Sequence, residues 1–184
     1  MIFNKLPVLG AYTIELDKKD DERGFFSRFW CEKEFKDLNL DTSIVQINNS
    51  LSTKKATLRG LHFQYPPKAE TKIVRCINGS IWDVIVDIRL ESKTYGKWYG
   101  AELSSENRTM MYVPKGFAHG FISLTDNSEI IYLVSEFYSQ KNESALRWND
   151  PFHGIKWPIK PEVVSEKDSI VSDWNDLKGI KEHN

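Results

Sequence analysis

Between Thr57 and Ile88 the chain sets a guanidinium, an imidazole, an ammonium and a carboxylate among strand-forming residues: Arg59, His62, Lys72 and Asp83. An imidazole titrating near pH 6.5 is the side chain best suited to take and return a proton at neutral pH, and a fixed cation nearby can hold an oxygen that turns negative. The elements that must position these groups are strands. Asn78-Gly79 suits a two-residue type I′ turn, and apolar residues alternate on both sides, which predicts a hairpin. In that register Lys72, Val74, Cys76, Ile81, Asp83 and Ile85 share one face, with Ile73, Arg75, Trp82 and Val84 on the other. Lys72 and Asp83 would then be diagonal neighbours, either a structural ion pair in a barrel or part of a concave site. Gly60, inside the histidine strand, marks a bulge that would bring Arg59 and His62, opposite by simple parity, into one cavity.

The rest of the chain supplies a scaffold of short strands. Residues 1–16 read as an extended apolar lead-in broken at Pro7 and Gly10, and DKKDDERG reads as a turn. FFSRFW reads as a strand with Phe26 and Arg28 on one side. Residues 31–38 form the best helical stretch, closing at Asn39. SIVQINNS, KWYGAEL, MMYVP, GFISL and EIIYLVSEFY are further strands, the last with Tyr132 and Tyr138 on one face. The proline- and tryptophan-rich run from Trp148 to Asp168 reads as an irregular arm, and the polar tail from Ser172 as a short helix or loose chain. The expected fold is all-β, a barrel or jelly roll with a few short helices, in one domain: a barrel core over about 40–140, N-terminal strands over 1–39 and a C-terminal arm over 141–184.

At 184 residues the chain can bury a full core, and 25 Lys+Arg against 26 Asp+Glu leave no basic field for nucleic acid or an acidic membrane. Any anionic ligand must be held by a few placed cations. No apolar run reaches membrane-spanning length and residues after Met1 show no export signal, so the expected location is cytoplasmic, with Cys31 and Cys76 reduced.

Two short patterns, His62-Phe-Gln64 with Glu70 and Gly79 behind it, and Pro114-Lys-Gly116-Phe-Ala-His119, resemble the two motifs of the cupin superfamily. Metal-binding cupins use a second histidine where this chain has Gln64, and a neutral amide is a poor ligand, so the expectation is no metal and no other cofactor. The words RGLHFQ, KIVRC-x-x-G-x-I-x-DVIVDIR, SKTYGKW, LSSENR, VPKGFAHGF, WNDP-x-x-GI-x-WP and SEKD, in order along nearly the whole chain, resemble the dTDP-4-dehydrorhamnose 3,5-epimerase family. That resemblance implies a metal-free cupin jelly roll, also described as a double-stranded β-helix, usually a homodimer, acting on a dTDP-4-keto-6-deoxyhexose. It assigns His62 as catalytic base, Asp168 as its carboxylate partner, Tyr132 as the opposing acid and Lys72 beside the reacting carbonyl. Around the sugar, diphosphate and base it places Arg23, Phe26, Gln46, Asn48, Arg59, His119, Tyr138, Glu143 and Lys167.

The assigned types fit the chemistry. A 4-ketone acidifies the C–H bonds at C3 and C5, so one base can serve both positions through enolates that share an oxygen. Inversion then needs a proton from the opposite face, which a phenol can supply. One position departs from the family: Arg28 stands where a glutamate is common, exchanging an acceptor for a five-donor cation at the substrate-binding surface. The readings that compete are a C3- or C5-only epimerase on another nucleotide sugar such as a CDP-linked one, a metal-dependent cupin isomerase or oxygenase, and a non-catalytic sugar-nucleotide binding module.

Overall fold

The computed structural model describes residues 1–174 and 179–180. Among these residues fourteen strands and two short helices follow in chain order. β1 (Ile2–Lys5) and β2 (Tyr12–Glu15) replace the single lead-in strand; Pro7 and Gly10 lie in the turn that folds them together. β3 (Lys19–Asp21) and β4 (Gly24–Phe26) make a separate small hairpin from the charged run expected to be only a turn. The strand expected over FFSRFW thus ends at Phe26, before Arg28. α1 (Glu32–Lys36) buries Phe35, and the chain leaves it at Asn39 with φ 54°.

The catalytic-looking residues ride on the next eight strands: β5 (Gln46–Ser52), β6 (Thr57–Gln64), β7 (Lys72–Asn78), β8 (Ser80–Asp87), β9 (Trp98–Ser104), β10 (Met110–Val113), β11 (Phe117–Ser123) and β12 (Ser128–Val134). The arm adds β13 (Glu143–Ala145), β14 (Val163–Val164) and α2 (Glu166–Ser169), so it is less irregular than its composition implied. One sheet runs β1-β2-β10-β7-β12-β5. The other runs β13-β6-β11-β8-β9, with β14 alongside β6. Together they form a jelly roll of the cupin type.

Three apolar clusters account for this layering. Val74, Cys76, Ile81, Ile85, Met111 and Ile130 fill the space between the sheets. Leu61, Phe63, Val84, Val86, Leu146 and Trp174 cover the outside of the second sheet beneath the C-terminal arm. Tyr12, Ile14, Phe35, Ile73, Tyr112 and Leu133 cover the outside of the first beneath the N-terminal segment. Central strands are therefore buried on both faces, which is why β11 is buried throughout.

The expected Asn78-Gly79 hairpin is not formed. β7 pairs with β10 and β12, whereas β8 pairs with β11 and β9, so both edges of each strand are already occupied. Gly79, at φ 71°, turns the chain across the corner from one sheet to the other, and a Cβ there would meet Thr125 Oγ1 at 2.4 Å. The inward residues are those expected, but they face one another across the core instead of sharing a face. Ile73 and Val84 consequently lie on opposite outer surfaces. Lys72 and Asp83 are likewise not partners: Lys72 pairs with Glu70 and Asp83 with His119. In the tail, Trp174 and Ile180 pack into the second outer cluster. The short helix or loose chain expected from Ser172 falls partly on residues 175–178 and 181–184, which lie outside the described residues.

Candidate active site

His62 and Tyr132 approach one cavity from opposite walls. β6 carries the histidine in the second sheet, and β12 carries the tyrosine in the first. A main cavity of about 450 Å³ is lined by Arg59, His62, Lys72, His119, Tyr132 and Asp168, with Lys167 at its rim. An adjoining cavity of about 270 Å³ shares His62, Lys72 and Tyr132 and adds Gln46, Asn48, Glu70, Tyr138 and Glu143.

The bulge at Gly60 makes this arrangement possible. Against β11, His62 pairs with His119 and Arg59 with Phe121, so three steps on β6 match two on β11. Gly60 adopts φ 114°, and a Cβ there would lie 2.6 Å from the Gly120 Cα. The extra residue shifts the parity, and both Arg59 and His62 face the cavity as expected.

His62 Nε2 lies 2.7 Å from Asp168 Oδ1, while the Gly60 N–H donates to Asp168 Oδ2 at 3.2 Å. The carboxylate is held by α2, whose N-cap Ser165 accepts the Asp168 N–H at 3.1 Å. The His62 side chain is 34% exposed and that of Asp168 only 4%, so the imidazole meets the cavity and the carboxylate stands behind it. Burial works to raise the Asp168 carboxyl pKa but is outweighed by the His62 hydrogen bond and charge, leaving it below the ordinary value. With Nε2 committed to Asp168, Nδ1 is the ring nitrogen left to act as a base.

Tyr132 sits between Asn48 of β5 and Val74 of β7. Burial, and secondarily the Glu70 carboxylate, hold its pKa above the usual phenol value, against a smaller opposing effect of Arg59. The group therefore keeps its proton at neutral pH, as an acid must. Lys72 Nζ lies 3.1 Å from Glu70 Oε1. His119 Nε2 lies 2.7 Å from Asp83 Oδ1, so the carboxylate supports the second histidine. The Arg59 guanidinium is anchored on β5 through Ser52 Oγ at 3.2 Å and the Leu51 carbonyl at 3.0 Å.

At the mouth, the Tyr138 hydroxyl donates to Glu143 Oε2 at 3.0 Å and Lys167 Nζ lies 2.6 Å from Glu143 Oε1. Burial favours the neutral Glu143 carboxyl, yet the Lys167 and Tyr138 hydrogen bonds keep its pKa low. The expectation that Tyr138 shares a strand face with Tyr132 is corrected: β12 ends at Val134 and Tyr138 lies on the following loop. Its backbone N–H is fixed by Gln46 Oε1 at 3.0 Å.

Arg23, Phe26 and Arg28 are not brought to either cavity. The Arg23 side chain is 84% exposed and pairs with Asp21, Phe26 is 72% exposed, and Arg28 Nη1 lies 3.3 Å from Glu34 Oε1. Two residues the sequence did not single out for the site are Glu70 and Gln64. In the sequence Glu70 stands only as a cupin-motif position, although its place two residues before Lys72 puts it beside that ammonium. Gln64 is 4% exposed and spends its amide on backbone: Nε2 donates to the Lys68 carbonyl at 2.9 Å and Oε1 accepts the Ser139 N–H at 2.6 Å. Among the described residues no group of three or more His, Cys, Asp or Glu is arranged to hold a metal ion.

Comparison with known proteins gives the same family from sequence and from structure. The profile of the dTDP-4-dehydrorhamnose 3,5-epimerase family matches residues 5–176. The dTDP-4-dehydrorhamnose 3,5-epimerase of Sinorhizobium fredii is 46% identical over 170 residues, covering 92% of this chain and 87% of that protein. The crystal structure of dTDP-4-dehydrorhamnose 3,5-epimerase from Elizabethkingia anophelis superposes with a TM-score of 0.92 at 41% identity, over 97% of this chain and 98% of that one. The dTDP-6-deoxy-D-glucose-3,5-epimerase of Legionella pneumophila, in complex with dTDP-4-keto-L-rhamnose, gives a TM-score of 0.90 at 33% identity over 100% and 99% of the two chains. Profile, sequence relative and structural superposition agree, and the chain belongs to the dTDP-4-dehydrorhamnose 3,5-epimerase family of isomerases.

Proposed function

We propose that the chain converts dTDP-4-dehydro-6-deoxy-D-glucose to dTDP-4-dehydro-L-rhamnose by inverting C3 and C5, within deoxysugar and surface-polysaccharide biosynthesis. The observation that carries this reading is the approach of His62 and Tyr132 to a shared cavity from facing sheets. A sugar ring lying between them meets a base on one face and an acid on the other.

His62 Nδ1 removes the proton from C3 or C5, and the electron pair moves onto the 4-keto oxygen to form an enolate. Asp168 stabilises the imidazolium as it forms. Lys72 faces the enolate oxygen, whose charge develops only along the reaction path, and so lowers the barrier rather than merely binding substrate. Tyr132 delivers a proton to the opposite face of the same carbon, and rotation or shift of the ring presents the second carbon. General acid–base help of this kind is worth roughly 10²–10⁴-fold, so enolate stabilisation must supply much of the remainder. Arg59 and Lys167 offer cations to the diphosphate; Gln46, Asn48, His119 and Glu143 offer polar contacts; Tyr138 offers a ring to the nucleoside.

The chain works as one epimerase domain and as a homodimer. Supporting the dimer, β5 is a sheet edge with Ile47 and Leu51 exposed, and Val45 just before it is exposed too. Arg23, Phe26 and Arg28 stand on or beside an exposed hairpin outside the cavity, so a second copy is the means of bringing them to a substrate. Arg28, in place of the common glutamate, then bears on which nucleotide is accepted. The location is the cytoplasm: both cysteines are unpaired, and no helix among the described residues is long and apolar enough to cross a membrane.

Incubation with dTDP-, CDP-, UDP- and GDP-linked 4-keto-6-deoxyglucose in deuterated buffer, followed by NMR, tests the whole reading. Deuterium at both C3 and C5 of the dTDP-linked sugar is expected. Label at one carbon only would make the chain a mono-epimerase, and no label on any sugar would end the proposal.

A further inference from the structure

We infer that Glu70 is a positioning residue of the reaction: its carboxylate fixes Lys72 beside the keto oxygen and balances that ammonium's charge in the cavity it shares with Tyr132. The inference rests on the roles proposed above for Lys72 and Tyr132.

Glu70 stands just before β7, with its side chain in the smaller cavity beside His62, Lys72 and Tyr132. Its Oε1 is 3.1 Å from Lys72 Nζ, and the two side chains are only 13% and 10% exposed. Among the described residues that ammonium otherwise makes a long contact, 3.5 Å, to the His62 carbonyl. The backbone on either side of Glu70 is immobilised. Gln64 holds the Lys68 carbonyl at 2.9 Å, and Thr71 is locked to Ser135 by its N–H to Ser135 Oγ at 2.8 Å and its carbonyl from the Ser135 N–H at 3.1 Å. This is a carboxylate fixed in place before substrate arrives.

An ammonium without a fixed partner has no single place from which to meet the enolate oxygen. An unbalanced cation beside Tyr132 would also favour the phenolate, which has no proton to give. Glu70 opposes both losses, and its charge contributes to the raised pKa of Tyr132. The other charged groups around that phenol cannot replace it. Arg59 acts in the opposite direction. His62 and His119 are engaged by Asp168 and Asp83, while Glu143 at the mouth is engaged by Lys167.

The test is Glu70→Gln, which preserves shape and removes charge. Expected results are a kcat lowered by about tenfold, corresponding to about 1.4 kcal/mol, and a KM that does not rise, because the site loses a negative charge facing an anionic substrate. The alkaline limb of the kcat–pH profile should move down by about one pH unit, as the phenol ionises more readily once the Glu70 charge is gone. Unchanged kcat and an unchanged limb would overturn the inference. Tyr132→Phe separates this outcome from failure of the underlying mechanism: if that variant keeps the wild-type rate and limb, the acid is misassigned, whereas if it removes the limb and Glu70→Gln does not move it, Glu70 is misassigned. Should Glu70→Gln fold poorly, the double variant Glu70→Gln with Lys72→Gln leaves no unpaired charge. Its kcat should match that of Lys72→Gln alone, and a further loss equal to that expected for Glu70→Gln would refute the positioning role.

Discussion

Replacing Asp168 with asparagine perturbs the proposed base without emptying its site. The wild-type carboxylate accepts from His62 Nε2 at 2.7 Å and from the Gly60 N–H at 3.2 Å. Asparagine retains one acceptor for Gly60, so α2 and the bulge stay in place, but its amide presents a donor to Nε2. Two losses follow. A hydrogen bond to a charged partner is worth about 1.5–3 kcal/mol. Nearly all of that is felt when the imidazolium forms, which at 1.36 kcal/mol per decade lowers kcat by roughly 10–150-fold. The amide donor also favours the tautomer with the proton on Nδ1, the nitrogen that must be free, and this extends the loss toward the roughly 10⁴-fold ceiling for a general base. A fall of about 10²-fold or more in kcat is therefore expected, with a smaller effect on KM because the lost interaction belongs to the transition state. Steady-state kinetics on the dTDP-linked 4-keto sugar, beside a thermal melt within a few degrees of wild type, measure it. A folded Asp168→Asn enzyme within about threefold of wild-type kcat would refute the claim that this carboxylate orients and stabilises the base.

Other perturbations address the scaffold and the expectation that no metal is needed. Gly60→Ala places a Cβ 2.6 Å from the Gly120 Cα at φ 114°, and should lower unfolding free energy by about 1–3 kcal/mol or more in urea titrations; a neutral effect would contradict the bulge geometry. His153 is buried against Phe152 and Trp174 with Nδ1 3.2 Å from Asp150 Oδ1, and burial holds its pKa below the ordinary imidazole value despite that carboxylate. The unfolded chain takes this proton first, so stability is full above about pH 6.5 and declines as pH falls below it. Urea midpoints between pH 8 and 5 should show that decline in wild type and less of it in His153→Asn. Ile85→Ala empties a fully buried site between the sheets and should cost about 2–5 kcal/mol. Exhaustive dialysis against a chelator should leave turnover unchanged; lost activity restored by a divalent metal would revive the metal-dependent reading.

Much of the fold is legible in the sequence because the central strands leave a strong local trace. β8 and β11 are buried on both faces, and their apolar runs between turn residues read as strands without knowledge of their partners. Partnership is the harder question. Asn78-Gly79 is chemically fit for a tight hairpin, but β7 and β8 each find two other neighbours, and pairing of that range leaves no mark on local spacing. The same limit applies to the site. Gly60 announces a bulge because few other residues tolerate its backbone, whereas the contact between His62 and Asp168 spans 106 residues and is visible only through resemblance. Glu70 was within reach of residue-level reading, standing two positions from Lys72. The position of Arg23, Phe26 and Arg28 outside the cavity was not, since surface hairpins carry no periodic signal saying which wall they approach.

The central claim is that His62 and Tyr132 act on opposite faces of one keto-sugar ring. A crystal structure of the complete chain with a non-reacting dTDP-hexose measures this directly. The account predicts His62 Nδ1 and the Tyr132 hydroxyl on opposite sides of the pyranose, each about 3–3.5 Å from C3 or C5, with Lys72 Nζ directed at the 4-oxygen. Both groups on the same face of the ring, or a ring seated beyond reach of His62, would contradict it.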